Sequence, residues 1–267
     1  MENRAFLRTT FNAQAELYNS VRPHYPEELF ESLIKITQLP ADASLLEIGP
    51  GTGQATAPLA KRGYKITAIE LGDALADVAR RELKNYHNVQ VITGSFEGIN
   101  ISAESFDLVF AATSFHWIKP ESRFTKSHRL LKNGGYLAII HTNHLTDLSN
   151  ETFYSATQPI YEKYQYNKNE FDSTRPPALS MTDLKAVPMD EELFEPIFSK
   201  AFPSIIQYNA DEYTRLVGTY SPTLSMSPEN KKAFLSEIYD LIETQFGGYV
   251  IKRYGMLLTI GQKKAKQ

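Results

Sequence analysis

Apolar residues form five short runs in the first half of the chain, and stretches with helical spacing separate them. The runs lie at 44–48, 65–69, 89–93, 106–111 and 136–141. Each is largely apolar from end to end, which is typical of a strand that is buried on both faces of a sheet. Because helices alternate with such strands, the pattern predicts an α/β protein whose parallel sheet is covered on both sides.

Helical spacing recurs between these strands and before the first of them. It predicts helices over 52–62, 73–83 and 122–131. Upstream, Pro26 and the acids Glu27 and Glu28 predict the start of a further helix, since proline suits a first turn and acids favour the positive end of the helix dipole. Residues 5–39 therefore read as a helical N-terminal segment.

The regular alternation of strands and helices stops at Thr142. Residues 142–205 contain no repeating strand–helix unit, and the pattern indicates helix only over 151–165 and 190–200. We interpret this segment as an insertion that caps the carboxyl ends of the strands, with a plain surface excursion as the alternative. The pattern after it predicts a strand over 202–208, a helix capped by Asp211, a long helix from Ser227, and a final strand over 249–260 that pairs antiparallel at the sheet edge.

A glycine-rich turn follows the first strand, in the stretch LLEIGPGTGQ at 45–54. Gly49, Gly51 and Gly53 have no Cβ, so the backbone there turns tightly and approaches a ligand closely. The next strand ends in Glu70, 21 residues after Gly49. This is close to the offset of roughly 20 residues at which an acid meets a ribose hydroxyl in nucleotide-binding βαβ units. The elements stand in the order that an adenosine-containing ligand requires.

The spacing of the glycines decides between ligand classes. Dinucleotide folds use G-x-G-x-x-G, and a P-loop needs Gly-Lys-Ser/Thr; neither pattern is present. The pattern E-x-G-x-G-x-G, which starts at Glu47, resembles motif I of class I S-adenosylmethionine-dependent methyltransferases. A glycine-rich turn made for packing alone is the alternative.

Two further signatures extend the resemblance. One is Tyr18-x-x-x-Arg22-Pro23-x-Tyr25-Pro26 before the sheet, and the other is Ser114-Phe115-His116-Trp117 after strand four. Together with motif I they resemble the small-molecule methyltransferases of the trans-aconitate-methyltransferase-like group. The resemblance covers roughly residues 5–141 well and 200–262 more loosely.

The resemblance implies where the methyl donor binds. S-adenosylmethionine is expected across strands one to four, with S-adenosylhomocysteine as the product. Gly49, Gly51 and Gly53 are expected under its methionine part, and Glu70 is expected to accept hydrogen bonds from both ribose hydroxyls, which a charged acceptor makes strong. The remaining residues assigned to the cofactor site are Glu47, which holds the glycine loop, Leu71 against the adenine, Ser95 and Phe96 at the adenine edge, and Ala112. Ser95 departs from the family pattern, because many relatives have Asp there.

Four residues are candidates for the catalytic side of the site. His116 follows strand four at the sheet end where open α/β sheets bind ligands, so it is a candidate general base or a hydrogen-bond partner of the acceptor. Arg22 is a candidate clamp for a carboxylate. Tyr18 and Trp117 are candidate cavity walls, because π faces attract a sulfonium. The alternatives are a packing histidine, a surface arginine and core aromatic rings.

Composition narrows the choice of partners. The chain has 267 residues, a net charge of −3 and no cysteine. The charge implies no broad basic face, so we expect no nucleic-acid partner. Without cysteine, thiolate chemistry is excluded, and the histidines lack ligand spacing, so no metal is expected. No apolar run reaches the ~20 residues of a membrane helix and no signal-peptide core is present, so we expect no membrane partner and a cytoplasmic location.

The predicted fold class is α/β: a Rossmann-like doubly wound sheet of about seven strands, with strand seven antiparallel and an inserted helical cap. Its segments are an N-terminal helical segment over the cofactor site (1–40), a cofactor-binding core (41–141), the cap (142–205), and C-terminal helices with the edge strand (206–267). The predicted function is methyl transfer to a small-molecule acceptor, O- or N-directed and with carboxylates among the acceptors considered, by a monomer or homodimer. The alternatives are a non-catalytic S-adenosylmethionine-binding module and an RNA or protein methyltransferase.

Overall fold

The computed structural model of the chain describes residues 15–146, 151–166 and 180–265. Its helices are α1 Ala15–Val21, α2 Glu27–Thr37, α3 Thr56–Lys61, α4 Asp73–Glu82, α5 Pro120–Leu130, α6 Glu151–Lys163, α7 Ala210–Val217, α8 Ser221–Leu224 and α9 Pro228–Gln245. Its strands are β1 Ser44–Ile48, β2 Lys65–Glu70, β3 Val89–Thr93, β4 Phe106–Ala112, β5 Leu131–Leu145, β6 Phe194–Asn209 and β7 Tyr249–Lys263. Within these three ranges, no helix is long and apolar enough to cross a membrane. The predicted helical segment before residue 15 lies outside the described residues.

The seven strands form one sheet in the order β3-β2-β1-β4-β5-β7-β6. Strand β1 pairs in parallel with β2 on one side and with β4 on the other. Strands β3 and β5 continue the parallel pairing outward. The strand order therefore reverses between β1 and β4, and ligands of open α/β sheets bind at such a switch point, beyond the carboxyl ends of the strands.

The last strand runs against its neighbour. Gln262 of β7 donates from its side chain to the carbonyl of Gly134 near the start of β5. Further along β5, the side chain of Asn143 donates to the carbonyl of Gly255. Because the residue numbers rise along β5 while they fall along β7, the two strands are antiparallel. The predicted sheet of about seven strands with an antiparallel seventh strand is confirmed.

The central strands are buried on both faces. Leu45 and Leu46 of β1 and Leu108 and Val109 of β4 have no exposed surface. Burying one such side chain stabilises the fold by about 1.5–3 kcal/mol. Adjacent residues on a strand point to opposite faces, so burial of both neighbours requires cover on each side of the sheet. The carboxyl end of β1, from which the glycine loop starts, is thus anchored in the core.

The chain forms two compact units. We name residues 24–142, 185–202 and 256–267 the glycine-loop unit, and residues 1–23, 143–184 and 203–255 the tyrosine-rich unit. In the tyrosine-rich unit the Phe153 ring lies 5.2 Å from the Tyr213 and Phe246 rings, each measured between ring centroids. The four segments inferred from the sequence remain a prediction.

The predicted helix over 190–200 is wrong, because residues 191–193 form a turn and residues 194–200 belong to strand β6. The Lys264 N–H donates to the Leu193 carbonyl at 3.0 Å, so the segment is paired with the end of the chain. Pro196 explains why a helix is unfavourable here: in a helix interior it removes one hydrogen bond and clashes with the preceding turn. Edge strands are where sheets accept proline, and β6 is the outermost strand.

The helix after the glycine loop starts later than the sequence predicts. The predicted start is Thr52, whereas α3 begins at Thr56 and residues 51–55 form turns. Gly51 and Gly53 adopt φ angles of +60° and +97°, which a right-handed helix does not contain. The glycines therefore extend the loop by four residues at the expense of the helix.

Strand β5 is longer than its apolar run. The predicted strand covers 136–141, but β5 extends from Leu131 to Leu145. Its pairing with β4 shifts register, from Phe106↔Leu131 to Leu108↔Tyr136. The four residues between Leu131 and Tyr136 therefore form a bulge-like irregularity, and none of them has an apolar side chain that would mark a strand.

The helix α7 is capped by Asn209, not by Asp211 as predicted. The Asn209 side chain accepts a hydrogen bond from the Glu212 N–H at 2.8 Å, and the Glu212 carboxylate accepts one from the Asn209 N–H at 2.9 Å. This reciprocal pair is a capping box, which satisfies two backbone donors at the helix start.

We expect Asn209→Ala to lower the free energy of unfolding by about 1 kcal/mol, because it removes the N-cap acceptor. Asp211→Ala is the matched control, since Asp211 lies in the first turn and its side chain makes an exposed ion pair with Arg215 at 3.6 Å. Urea denaturation followed by circular dichroism measures both. Equal losses for the two variants would contradict the assignment of the cap.

Candidate active site

The loop after β1 is built on glycines in the left-handed region. Gly49, Gly51 and Gly53 have φ angles of +67°, +60° and +97°. A Cβ on Gly49 would lie 2.7 Å from the Cβ of Ser114, closer than real Cβ contacts come. Both the backbone conformation and the close approach of the segment after β4 therefore require glycine at position 49.

Glu70 ends β2 beside this loop. One of its carboxylate oxygens accepts a hydrogen bond from the Gly51 N–H at 2.9 Å, and the other accepts one from the Gly72 N–H at 3.0 Å. Only 6% of the residue is exposed. The structure thus brings Glu70 and the glycine loop together, as their spacing of 21 residues in the sequence predicts.

Glu47 lies beneath the loop and is fully buried. The Thr56 hydroxyl donates to its Oε2 at 2.5 Å, whereas its Oε1 has no hydrogen-bond partner among the described residues. Burial raises the pKa of Glu47 to about 8, with the Thr56 hydrogen bond opposing and the Glu70 charge adding to the rise. At neutral pH the carboxyl group therefore holds a proton, which avoids a charge in the core.

The segment after β3 carries two of the residues assigned to the adenine edge. The Gly94 N–H donates to the Glu70 carbonyl at 2.8 Å, so this segment starts beside the acid. The Ser95 hydroxyl accepts from the Gly98 N–H at 3.0 Å and thereby holds a turn. Phe96 is 2% exposed and packs in the apolar core cluster. Leu71, next to Glu70, is half-buried.

Three hydroxyl groups meet beyond the end of β4. The Thr113 hydroxyl lies 3.0 Å from the Tyr25 hydroxyl and 3.0 Å from the Thr142 hydroxyl. Thr113 directly follows Ala112, the half-buried last residue of β4. Thr113 and Thr142 are not among the residues assigned from the sequence. The signal that points to them is position, because Thr142 directly follows the end predicted for its strand and Thr113 lies two residues after the end predicted for its own.

His116 and Trp117 lie on a 3₁₀ turn, Phe115–Trp117, just after β4. The Ser114 hydroxyl donates to the carbonyl of Ile48, which ties this turn to the glycine loop. The centroid of the His116 ring lies 4.9 Å from that of the Trp117 ring and 5.9 Å from that of the His141 ring. Two histidine rings are therefore adjacent near the carboxyl ends of β4 and β5.

Arg22 and Tyr18 belong to the tyrosine-rich unit. The Arg22 guanidinium carbon lies 4.6 Å from the centroid of the Tyr18 ring and 4.7 Å from that of the Tyr220 ring. Its Nε donates to the Thr219 hydroxyl at 3.0 Å, and its Nη2 donates to the Thr219 carbonyl at 2.9 Å. Two of its three nitrogens are thus engaged with the protein itself.

Within the described ranges, no group of three or more His, Asp or Glu side chains has the geometry of a metal site.

Comparison with known proteins gives the class. A family model described as a methyltransferase domain matches residues 46–139. An uncharacterized methyltransferase of Schizosaccharomyces pombe is 26% identical over 238 residues, which are 88% of each chain. An uncharacterized methyltransferase of Staphylococcus carnosus is 32% identical over 60% of this chain and 79% of its own length. Some further curated methyltransferases are matched over only about half of their length.

A solved structure shows the same fold. It is that of a protein of Anaeromyxobacter dehalogenans provisionally assigned as a type II methyltransferase, with a TM-score of 0.64 and 18% identity over 90% of this chain and 97% of that one. The family model runs from within β1 to within β5 and includes the loop between β1 and α3. The chain therefore belongs to the class I S-adenosylmethionine-dependent methyltransferases.

We expect Gly49→Ala to be markedly destabilising. The left-handed backbone costs a residue with a Cβ about 1–2 kcal/mol, and crowding against Ser114 adds about 1–3 kcal/mol. Gly134→Ala is the matched control, because Gly134 has φ +75° but a Cβ there meets nothing within 4 Å. Urea denaturation compares the two variants. Equal destabilisation would mean that the segment after β4 does not press on the loop.

We expect Glu47→Gln to change how stability depends on pH. Between the ordinary value of 4.5 and a folded pKa of about 8, the unfolded chain ionises Glu47 while the folded chain keeps its proton. Stability of the wild type then falls with rising pH by up to about 1.4 kcal/mol per unit. The variant lacks this loss. The difference between its free energy of unfolding and that of the wild type therefore shifts in favour of the variant as pH rises through this window. Denaturation curves across the window, with exposed Glu82→Gln as control, measure the difference, and parallel profiles would contradict the buried proton.

Proposed function

We propose that this enzyme transfers a methyl group from S-adenosylmethionine to a small-molecule acceptor, O- or N-directed. The single observation that carries the donor site is the Glu70 carboxylate, held by the Gly51 N–H against the glycine loop. The glycine loop follows β1, next to the point where the strand order reverses between β1 and β4, and open α/β sheets bind nucleotides at such a point.

The residues present fit the donor. Gly49, Gly51 and Gly53 have positive φ angles and no Cβ, so the loop turns tightly beside the Glu70 carboxylate. A carboxylate accepts at about four lone-pair sites, so holding two backbone N–H groups is compatible with accepting from ribose hydroxyls. The Oε1 of Glu47 is buried without a partner among the described residues, and it provides a polar group directly below the loop.

Methyl transfer asks little chemistry of the protein. When bound, the donor supplies an already activated methyl group on its sulfonium. The chain aligns the reacting atoms and excludes water from them. A base is needed only when the acceptor carries a proton at neutral pH, and His116 is the residue we propose for that role or for a hydrogen bond to the acceptor.

A small acceptor is favoured over a macromolecule on two grounds. The net charge of −3 offers no broad basic face for RNA. The hydroxyl groups of Tyr25, Thr113 and Thr142 converge near the carboxyl ends of β4 and β5, and such a short line of polar groups suits a small polar molecule. Activity with carboxylates, phenols and amines, followed with labelled donor, tests the acceptor class. Transfer to RNA or protein alone would refute it.

We expect Glu70→Ala to weaken binding of S-adenosylhomocysteine by about 1.5–3 kcal/mol, the value of a hydrogen bond to a charged group. Isothermal titration calorimetry on the full chain measures the loss. Glu82→Ala is the control, because Glu82 is an exposed acid at the end of α4 in the same unit.

Two results would overturn this proposal. Absence of binding by the wild type at sub-millimolar product would reject the donor site. An unchanged affinity in Glu70→Ala would show that the acid does not contact the ligand.

A further inference from the structure

A cavity of about 200 Å³ lies beside the 3₁₀ turn that follows β4, within the glycine-loop unit. Its polar lining comes from His116, Arg123 and His141, and its apolar walls include Phe115, Phe124 and Ile139. Pockets for drug-sized ligands hold about 300–1,000 Å³. This cavity therefore suits a smaller molecule, of the size of one ring with one polar group.

Arg123 gives the cavity a charge. Its guanidinium carbon lies 5.7 Å from the centroid of the Phe115 ring and 5.2 Å from that of the Phe124 ring. Its Nε is buried and has no hydrogen-bond partner in the described part of the chain. A buried donor left unsatisfied is costly, and a guanidinium matches the two oxygens of a carboxylate.

The two histidines lie at the same cavity and widen its polar lining. The ring centroids of His116 and His141 are 5.9 Å apart, with the rings nearly perpendicular. Each imidazole carries two nitrogens that hydrogen-bond as donor or acceptor. The imidazole nitrogens of His116 and His141 can therefore hydrogen-bond to the polar atoms of a ligand that is held at Arg123.

A hydrogen bond links the segment that lines this cavity to the end of β1, from which the glycine loop starts. Ser114 donates to the carbonyl of Ile48, the last residue of β1. The next residue, Phe115, already lines the cavity. Neighbouring residues of the chain therefore contact the end of β1, before the proposed donor site, and line this cavity.

We infer that this cavity binds a small organic anion with an apolar body. The anionic group pairs with the guanidinium of Arg123, and the body packs against Phe115 and Phe124. Arg123 is thus a specificity-determining residue that favours acids over neutral molecules of the same shape. The identification of this anion with the methyl acceptor rests on the proposed function, whereas the anion site itself does not.

The test uses para-fluorobenzoate and its neutral counterpart para-fluorobenzamide, titrated into the full chain and followed by fluorine NMR. The wild type is expected to bind the acid at least about tenfold more tightly than the amide, because only the acid pairs with Arg123. Arg123→Met is expected to remove this preference, and Arg123→Lys to keep part of it through the retained charge. Arg129→Met is the matched control, because Arg129 is exposed on the same helix and does not line the cavity.

A second readout locates the site without depending on the stability of any Arg123 variant. Ring-proton resonances of His116 and His141, assigned with His116→Asn and His141→Asn, are expected to shift when the wild type is titrated with the acid. Absence of saturable binding at millimolar acid, unmoved histidine resonances, equal affinity for acid and amide, or an unchanged preference in Arg123→Met would each overturn the inference.

Titration of S-adenosylhomocysteine into the same samples separates this inference from the proposed function. Arg123→Met is expected to bind the product as the wild type does. A wild type that binds the acid but not the product would refute the donor site and leave the anion site standing. The reverse result would refute the anion site alone.

Discussion

One hydrogen bond joins the two parts of the proposed donor site, from the Gly51 N–H to the carboxylate of Glu70. It holds the tip of β2 against the loop after β1, and the parallel register that pairs Ile48 with Ile69 brings the two within reach. The bond depends on a backbone that glycine adopts without strain, since Gly51 has φ +60°. A charged acceptor that receives backbone donors in a nearly buried place forms strong hydrogen bonds, so this contact fixes the loop together with the bond from the Gly49 N–H to the Ile69 carbonyl.

The sequence predicts the parallel half of the sheet well, because each strand there is specified by its own residues. The predicted strands at 44–48 and 89–93 coincide with β1 and β3, since an apolar run between turn residues identifies a buried strand locally. The prediction fails at 190–200, where β6 forms through pairing with residues about 60–70 positions later in the chain. Such pairing leaves no local periodicity. The cap on α7 was misplaced by two residues, within the usual uncertainty of helix ends.

The residues of the candidate site also fall into two groups, those whose proximity the sequence predicts and those that only the folded chain brings together. The glycines and Glu70 belong to one βαβ unit, so their spacing alone predicts that they meet. The hydroxyl groups of Tyr25 and Thr113 come together from positions 88 residues apart. Arg22 was expected at a ligand, and its contacts with Thr219, 197 residues away, are visible only in the folded chain. Long-range contacts of this kind are set by tertiary packing, on which single-sequence patterns carry no information.

The outermost strand of the sheet has a further consequence. Strand β6 stands at the end of the strand order, where an unpaired row of backbone groups invites another chain to add on. Pro196 and Pro203 each interrupt the row of backbone N–H groups along this strand, and Lys200 places a charge between them. Intermolecular β-pairing, and the aggregation that follows from it, are therefore disfavoured at this edge.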